Sequence, residues 1–280
     1  MKGGAKARNI IVQMATYFTL ITVSLSILYV IAIIVVSAFR PGNLVAFSLD
    51  FNIQWSLQNF KKLFTEELFG RWYVNTLIIA VMAMALQITI VTLGGYAFSR
   101  FRFVGRKQSM KFFLIAQMIP VNAAFTAFYV LALLVNGFDQ YWFIVIIFVG
   151  MYIPMNMYLM KGYFDTVSIS LDEAARIDGA SRMRTLVQIV LPLVRPMIAI
   201  QALLAFMAPF MEYMLPSLIL RASSARTLAV GLQVFIYEPR MQKVALFAAG
   251  SLLASLPIVV LFFFLQKNFI SGLTSGGAKG

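Results

Sequence analysis

The sequence SLDEAARIDGASRMRTLVQIVLP, residues Ser170–Pro192, is a polar and charged island between two long apolar segments. Ser170 and Glu173 have the spacing of a capping box, in which the serine oxygen accepts from the backbone N–H at Glu173 and the glutamate reaches back to the serine N–H. Asp172 and Glu173 also complement the positive end of the helix dipole. The island therefore predicts a short helix that begins at Ser170.

The remainder of the island predicts a bend and a second short helix. Ala174 and Ala175 keep the first helix slim, so that another backbone can approach it closely. Gly179 predicts the end of the first helix, and Pro192 predicts the end of the island. The second helix carries apolar residues that we expect against the membrane interface: Leu186, Ile189 and Val190.

The composition is that of a membrane protein. Of 280 residues, 61% are apolar and 12% are charged, whereas charged residues make up about a quarter of a typical globular chain. The chain has no cysteine and no histidine, which excludes thiol nucleophiles, disulfides, imidazole bases and the usual zinc ligands. We therefore predict no catalytic residues and no metal site.

Six apolar stretches are long enough to cross a bilayer, which takes about 20 residues. They cover residues 14–37, 75–98, 112–135, 141–161, 194–219 and 244–266. Several contain prolines, where we expect kinks that face protein, because neighbouring groups or water must satisfy the freed carbonyls. These prolines are Pro120, Pro154, Pro209, Pro216 and Pro257. The pattern predicts an all-α membrane protein with six transmembrane helices.

These spans define the expected organisation of the chain. It comprises a cytoplasmic amino terminus (1–13), a first transmembrane helix (14–37), an external loop with an interfacial helix (38–74), a core of five further spans (75–268, with the island at 170–192) and a cytoplasmic tail (269–280). The first apolar run is longer than a signal-peptide core of roughly 7–15 residues. We therefore expect it to remain as a membrane helix.

The basic residues indicate the orientation of the chain. The net charge is +13, but the lysines and arginines flank apolar segments, which is typical of membrane topology and not of nucleic-acid binding. With a cytoplasmic amino terminus, 15 of them lie inside and 8 outside. This bias predicts that both termini and the island lie in the cytoplasm.

Polar residues within the spans are candidates for a transport path. Glu212 lies in an apolar span between two prolines, and intramembrane acids are functional candidates by default. Its role as path lining or as a structural partner is open at this point. Several amides share this placement and predict a polar interior that serves as interhelical glue or as a path. They are Asn75, Gln87, Gln117, Asn122, Asn156 and Gln201. Tyr129, Tyr152, Tyr158 and Tyr213 are candidate stacking partners for sugar rings, or ordinary core residues.

The island resembles the EAA loop of ABC-importer permeases. The pattern of Glu-Ala-Ala, three residues, Gly, nine residues, Ile, one residue and Leu-Pro begins at Glu173 and ends at Pro192. Three further segments, NTLIIA (75–80), GGYAFSRFRFVGR (94–106) and SGLTSGGAKG (271–280), resemble the carbohydrate-uptake branch of binding-protein-dependent permeases, of the maltose or maltodextrin type. The chain is thus identified as similar to a type I ABC-importer permease.

The resemblance implies an assembly in the bacterial cytoplasmic (inner) membrane. It consists of a second related permease, two ATPase subunits that bind ATP and Mg²⁺, and an extracellular or periplasmic sugar-binding protein. This sequence lacks the G-x-x-x-x-G-K-[ST] motif of a phosphate-binding loop. We therefore expect ATP hydrolysis on another polypeptide and no cofactor on this chain. Besides these proteins, we expect membrane lipid as a partner and no nucleic acid.

The resemblance also implies roles for individual residues. The helix at Leu171–Asp178 corresponds to the coupling helix that docks on the ATPase. The implied coupling residues are Glu173, Ala174, Ala175, Asp178, Gly179, Ile189, Leu191 and Pro192. The candidate translocation path consists of Glu212, Asn122, Asn156 and Gln117, and the candidate ATPase-contacting tail of Gly276, Gly277 and Lys279.

Two other functions remain as alternatives. A secondary transporter driven by an ion gradient requires paired half-repeats with broken helices and buried acids at the midplane. A membrane-embedded enzyme acting on lipid or polymer requires clustered acids for a metal, whereas the ten acids here lie mostly in loops. For an importer, maltodextrin is the favoured substrate, with other oligosaccharides, other hexosides and glycerol-3-phosphate left open.

Overall fold

The computed structural model describes residues 2–42, 46–47, 49–51, 54–118, 120–237 and 243–277. For residues 2–9, 122 and 269–277 it describes the backbone alone. Within these ranges the chain is helical and contains no strand. The predicted all-α fold is confirmed.

Twelve α-helices follow one another along the described chain. They are α1 (Lys2–Phe39), α2 (Gln58–Thr65), α3 (Phe69–Arg100), α4 (Arg106–Ala116), α5 (Phe125–Leu134), α6 (Tyr141–Asp165), α7 (Ile169–Ile177), α8 (Arg182–Thr185), α9 (Leu191–Met211), α10 (Met214–Ile219), α11 (Leu228–Tyr237) and α12 (Val244–Gly277). A 3₁₀ turn at Val121–Ala124 precedes α5, and a π-helical turn at Leu186–Val190 joins α8 to α9.

Five helices in the described part of the chain are long and apolar enough to cross a membrane. They are Ile10–Phe39, Phe69–Arg100, Tyr141–Asp165, Arg182–Met211 and Val244–Asn268. The remaining predicted span, residues 112–135, is divided between α4, the 3₁₀ turn and α5. Pro120 lies at the break, because it lacks an N–H and cannot continue the helical hydrogen bonds. The total of six transmembrane helices therefore stays a prediction.

The island and the span that follows it form one helical run. Pro192 is the second residue of α9, and the helix continues past it to Met211. The expected second short helix that closes at Pro192 is therefore wrong. Pro192 has no N–H to offer to the Gln188 carbonyl, and its ring would crowd that carbonyl in a regular α-helix. The wider π turn at Leu186–Val190 accommodates this defect.

The chain divides into two compact units, of which the first comprises Met1–Glu67 and Leu232–Leu253. The Nδ2 atom of Asn59, on α2, donates to the carbonyl oxygens of Ala38 (2.9 Å) and Arg40 (2.8 Å). It thus supplies hydrogen-bond donors to carbonyl groups at the end of α1. The Phe39 ring packs on Trp55 and Phe60, with centroids 5.7 and 4.9 Å apart. These contacts fix the short predicted loop helix against the end of the first span.

The second unit comprises Leu68–Gly231 and Ala254–Gly280. Its centre is the packing of α3 against α6 and α9. One buried cluster forms around Ile79, Phe148 and Leu215, and a second forms around Phe164 and Val190. The second cluster lies where α3 and α6 end and α9 begins, so it supports the site described next.

Two glycines let α3 and α6 approach closely. A Cβ atom at Gly94 would lie 2.4 Å from the Met157 Cε atom. A Cβ atom at Gly95 would lie 2.7 Å from Met160 Cγ and 3.2 Å from the backbone nitrogen of Lys161. The paired glycines therefore allow close packing of the two helices, as small residues do at helix interfaces in membrane proteins.

Candidate functional site

The N-cap of α7 lies two residues earlier than the sequence predicts. Ser168 is its N-cap, with φ −58° and ψ 132°, and its Oγ atom accepts from the backbone nitrogen of Ser170 at 3.3 Å. The predicted capping box between Ser170 and Glu173 is therefore wrong. Helix α6 ends at Asp165, so the chain turns within three residues and Ser168 is the residue that reaches the extended conformation of a cap.

The end of α7 has the glycine bend that the sequence predicts. Gly179 has φ +80°, a conformation that favours glycine. The Ala180 nitrogen donates to the Ala175 oxygen (2.9 Å), and the Gly179 nitrogen donates to the Arg176 oxygen (3.1 Å). This pair of bonds is a Schellman motif, which satisfies carbonyls at the helix end. Helix α7 is therefore a short element with a defined structure at both ends.

The inward face of α7 carries a buried carboxylate. Asp172 and Ala175, one helical turn apart, are both buried. The Asp172 Oδ1 atom accepts from the Tyr96 hydroxyl at 2.9 Å, and its Oδ2 atom accepts from Arg100 Nε at 2.8 Å. Only 6% of the Arg100 side chain and 11% of the Asp172 side chain are exposed. Both oxygens of this acid are thus used in holding α7 to the last turns of α3.

The contacts of Arg100 extend to the end of α6. Arg100 Nη2 donates to the Val167 carbonyl at 2.8 Å, and Nη1 donates to the Ser99 hydroxyl at 3.0 Å. Ser99 in turn donates to Asp165 Oδ1 at 2.6 Å, and Asp165 pairs with Lys161. One polar network therefore joins α3, α6 and the start of α7.

Sequence reasoning missed this network. The sequence pattern indicated only a helix-dipole role for Asp172 and only a family resemblance for the segment 94–106. A signal was present, because Tyr96 and Arg100 are four residues apart and so share one helix face. The partner of that face lies 76 residues from Tyr96 in sequence, at Asp172, and only the fold brings them together.

The outward face of α7 is exposed. Glu173 and Ala174 are exposed, and 86% of Ile177 is exposed. Of the two predicted docking alanines, only Ala174 lies on this face, because Ala175 is buried against the protein itself. The result is a small apolar surface around one carboxylate, presented by a helix whose opposite face is fixed.

The other residues of the EAA pattern lie at different places. Asp178 is the exposed C-cap of α7. Ile189, Leu191 and Pro192 are half-buried in the π turn and the first turn of α9. These three residues shape the helix that follows and do not lie on α7.

A recess of about 610 Å³ lies beside α7. Tyr96, Asp172 and Glu173 line it together with a set of arginines. These are Arg100, Arg102, Arg106, Arg176 and Arg182. The Arg182 guanidinium lies over the Phe101 ring, 4.8 Å from its centroid. The surroundings of α7 on this side are therefore rich in arginine.

Glu212 is the C-cap of α9 and lies two residues before α10. Its Oε1 atom accepts from the backbone nitrogens of Met214 (3.0 Å) and Leu215 (3.3 Å). These hydrogen bonds give the acid a structural role. The sequence alone did not decide between this role and a role in the translocation path. Glu212 also lines two cavities, so the two roles are compatible.

Three cavities share lining residues along the second unit. Gln117, Tyr152 and Glu212 line a cavity of about 400 Å³. Asn156 and Gln87 line the next, of about 330 Å³, which also includes Tyr152 and Glu212. A third, of about 440 Å³, shares Phe125 with the first and is further lined by Tyr129, Tyr213, Thr126 and Ser217. The structure thus brings together three of the four predicted path residues. The fourth, Asn122, lies in the 3₁₀ turn, and its side chain is outside the described residues.

Two of the predicted amides hold distant parts of the chain together, Asn75 between α3 and the loop before α11, and Gln201 between two helices. Asn75 Nδ2 donates to the carbonyls of Ser224 (2.9 Å) and Arg226 (3.0 Å). Gln201 Nε2 donates to the backbone oxygen of Asn156 at 3.0 Å and ties α9 to α6. These side chains hold the protein together, whereas Gln87, Gln117 and Asn156 line cavities.

The predicted tail residues continue the last helix. Helix α12 extends to Gly277, so the backbone of Gly276 and Gly277 is helical. Lys279 lies outside the described residues. The glycine-rich sequence therefore does not interrupt the helix before Gly277.

Comparison with known proteins places this architecture in a family context. A family model described as binding-protein-dependent transport system inner membrane component matches residues 90–275. The maltodextrin transport system permease protein MdxG of Bacillus subtilis (strain 168) is 59% identical over 276 residues, 99% of each chain. The maltodextrin transport system permease protein MalD of Streptococcus pneumoniae (strain ATCC BAA-255 / R6) is 55% identical over 280 residues, 100% of both. A crystal structure of a bacterial ABC transporter involved in the import of alginate matches with a TM-score of 0.80 over 92% of this chain and 96% of that one, at 23% identity, which is a likeness of fold.

Proposed function

The chain belongs to the family of binding-protein-dependent transport system inner membrane components, and from that premise we propose that it forms half of the pore of an ATP-driven maltodextrin importer. As a member of this family, the chain is a multi-pass transport subunit of the membrane and not itself an enzyme. In our proposal the other half of the pore is a second, related permease. A sugar-binding protein outside the membrane delivers the substrate.

The two-sided structure of α7 carries the proposal. One face is fixed to the protein by Asp172, and the other presents Glu173, Ala174 and Ile177 to the outside. This face combines a carboxylate with exposed apolar side chains one helical turn on either side of it, Ile169 and Ile177, and grouped apolar side chains of this kind mark protein-binding surfaces. A helix that docks on another protein benefits from both, since the apolar side chain supplies burial and the acid supplies a charge-assisted contact.

The partner of this face is an ATPase subunit that binds ATP and Mg²⁺. Each permease docks on one of two such subunits, and closure of the ATPase pair on ATP draws the two docking helices together. The pore then changes between inward- and outward-facing states. Transport follows because ATP and the loaded binding protein bind these two states with different affinity.

The orientation rests on the basic residues of the sequence. The excess of lysine and arginine in the inside segments, 15 against 8, supports a cytoplasmic location for α7 and both termini, where the ATPase has access to nucleotide. The tail at Gly276–Gly277, with Lys279 beyond it, then reaches the interface of the ATPase subunits. Its helical backbone up to Gly277 supports an extended reach.

The substrate assignment rests on two close relatives and on the lining of the cavities. Both relatives are named as maltodextrin permeases and match essentially the whole chain. Amide, hydroxyl and aromatic side chains, such as Gln117, Asn156, Tyr152 and Tyr213, suit a neutral sugar, which is bound by hydrogen bonds and by stacking. The three cavities that share these residues are the proposed path on this subunit.

Charge reversal on the docking face tests the function. In a strain that lacks the native gene, Glu173→Lys should lower uptake of labelled maltodextrin by about ten-fold or more, because a charge-assisted contact contributes about 1.5–3 kcal/mol. Glu66→Lys is the matched control, since Glu66 is an exposed acid at the end of α2. It should leave uptake unchanged. Normal uptake by Glu173→Lys in a fully assembled complex would overturn the docking role.

A further inference from the structure

The most constrained contact of the docking helix is made with a distant part of the chain. Arg100 and Asp172 are 72 residues apart in sequence, whereas the direct covalent neighbours of α7 are α6 and α8. Side-chain contacts therefore connect α7 to α3, one of the membrane-spanning helices. The covalent connection to α6 passes through Thr166–Ser168 alone, and Arg100 holds the middle of that connection at the Val167 oxygen.

The geometry of these contacts favours a stiff connection. Asp172 uses one oxygen for Tyr96 and the other for Arg100, so both the position and the rotation of its carboxylate are fixed. Arg100 distributes its donors over a carboxylate, a hydroxyl and a carbonyl. A planar guanidinium that is bound at several atoms loses its freedom to rotate. Both side chains are almost fully buried, so water does not readily replace either partner.

We propose that Tyr96, Arg100 and Asp172 form a positioning link that transmits the movement of α7 to α3. This inference rests on the proposed docking of α7 to an ATPase. When the ATPase displaces α7, the link makes α3 move with it as one body, and the cavity that Gln87 of α3 helps to line changes shape. Without the link, α7 follows the ATPase while α3 lags behind, and ATP is hydrolysed without import of sugar.

A purely structural role for the same residues makes a different prediction. Arg100 lies in the last turn of α3, where a cation stabilises the helix end. If that were its whole function, loss of the link would lower the amount of folded complex but not the sugar transported per ATP hydrolysed. The ratio of transport to hydrolysis therefore separates transmission from stability.

The test uses the complete complex of both permeases, ATPase and binding protein in liposomes. Asp172→Asn keeps the size and the acceptor oxygen but removes the charge, and it should lower the sugar transported per ATP by about ten-fold, within the usual range of coupling factors. Asp172→Glu, which keeps the carboxylate, should stay within about three-fold of wild type because it retains a charge-assisted bond to Arg100. Equal ratios for wild type, Asp172→Asn and Asp172→Glu would overturn the link.

A double-mutant cycle tests whether the two residues act together. Arg100→Gln and Asp172→Asn should each lower the sugar transported per ATP. The ratio of the double variant should lie within about two-fold of the lower of the two single-variant ratios, because the effects of residues in one network are not additive. Fully multiplicative losses would contradict a shared link.

If Asp172→Asn fails to assemble, Tyr96→Phe keeps both charges and should lower the ratio by about two- to five-fold through loss of one hydrogen bond. An unchanged ratio for Tyr96→Phe would then overturn the link.

The same experiment separates this inference from the proposed function. A wild-type complex that neither hydrolyses ATP in response to sugar nor transports it would overturn the proposed function. A wild-type complex that transports normally, with an unchanged ratio in Asp172→Asn, would overturn the link alone. Glu66→Gln, outside the site, is the matched acid-to-amide control and should behave as wild type.

Discussion

Neighbouring acids on one short helix have opposite environments. Asp172 is buried and held by Tyr96 and Arg100, whereas Glu173 is exposed. Consecutive residues on a helix point about 100° apart, so a one-residue step is enough to exchange an inner partner for an outer one. A substitution of either acid therefore reports on a different contact: a contact inside the subunit for Asp172, and the proposed contact with the ATPase for Glu173.

The close approach of α3 and α6 gives a prediction at the level of one residue. Gly95→Ala places a Cβ atom 3.2 Å from the backbone of Lys161 and 2.7 Å from Met160 Cγ. We expect this overpacking to cost about 1–3 kcal/mol and to lower the thermal unfolding midpoint of the purified complex in detergent.

Gly162→Ala is the matched control for this change. Gly162 is also helical, and nothing lies within 4 Å of a Cβ atom placed there. The control should be neutral or slightly stabilising, since alanine favours helix over glycine by about 1 kcal/mol. Equal midpoints for Gly95→Ala and Gly162→Ala would contradict the packing described here.

At the scale of elements, the breaks in the helices determine where the cavities lie. The chain leaves helical geometry at Pro120 and at Glu212, and residues next to both breaks line the same cavity of about 400 Å³. Glu212 stabilises its break by accepting from the first backbone nitrogens of α10. A break inside an apolar segment frees backbone groups, and a carboxylate is a strong acceptor for them.

Substitution of Glu212 separates capping from charge. Glu212→Gln retains an acceptor oxygen and should keep the stability of the complex, whereas Glu212→Ala should lose about 1 kcal/mol, the usual cost of a lost cap. Thermal unfolding in detergent measures both variants. If Glu212→Gln is destabilised as much as Glu212→Ala, the negative charge is required and the capping role is insufficient.

The sequence predicts the identity of these elements better than their ends. Gly179 shows the end of α7 because only its positive φ allows the bend, and that requirement is local. The start of α7 is determined by how the chain turns out of α6, which moves the cap from Ser170 to Ser168. Pro192 predicts the end of a helix, but burial of the apolar residues that follow outweighs the loss of one hydrogen bond. The wider π turn before Pro192 accommodates the proline ring. The Arg100–Asp172 pair lies beyond local reasoning because it depends on tertiary contact.

At the scale of the whole molecule, the chain combines a helical unit that contains cavities with the short helix α7, which is tied to it. The apolar spans and the basic residues define a membrane protein, and the family match defines its class. Neither identifies how the proposed docking of α7 acts on the spans. The polar network at the end of α3 supplies a physical connection, since it joins α7 to α3 and α6 through buried charged groups.

In the proposed assembly, the outward face of α7 lies in the cytoplasm against an ATPase. Because the chain has no cysteine, Ile177→Cys gives one unique thiol on that face. In whole cells we predict that a membrane-impermeant maleimide labels it only after permeabilisation, and that a short bifunctional reagent crosslinks it to the ATPase subunit of the assembled complex. Labelling from outside intact cells, or no crosslink to the ATPase in an assembled complex, would contradict the claim.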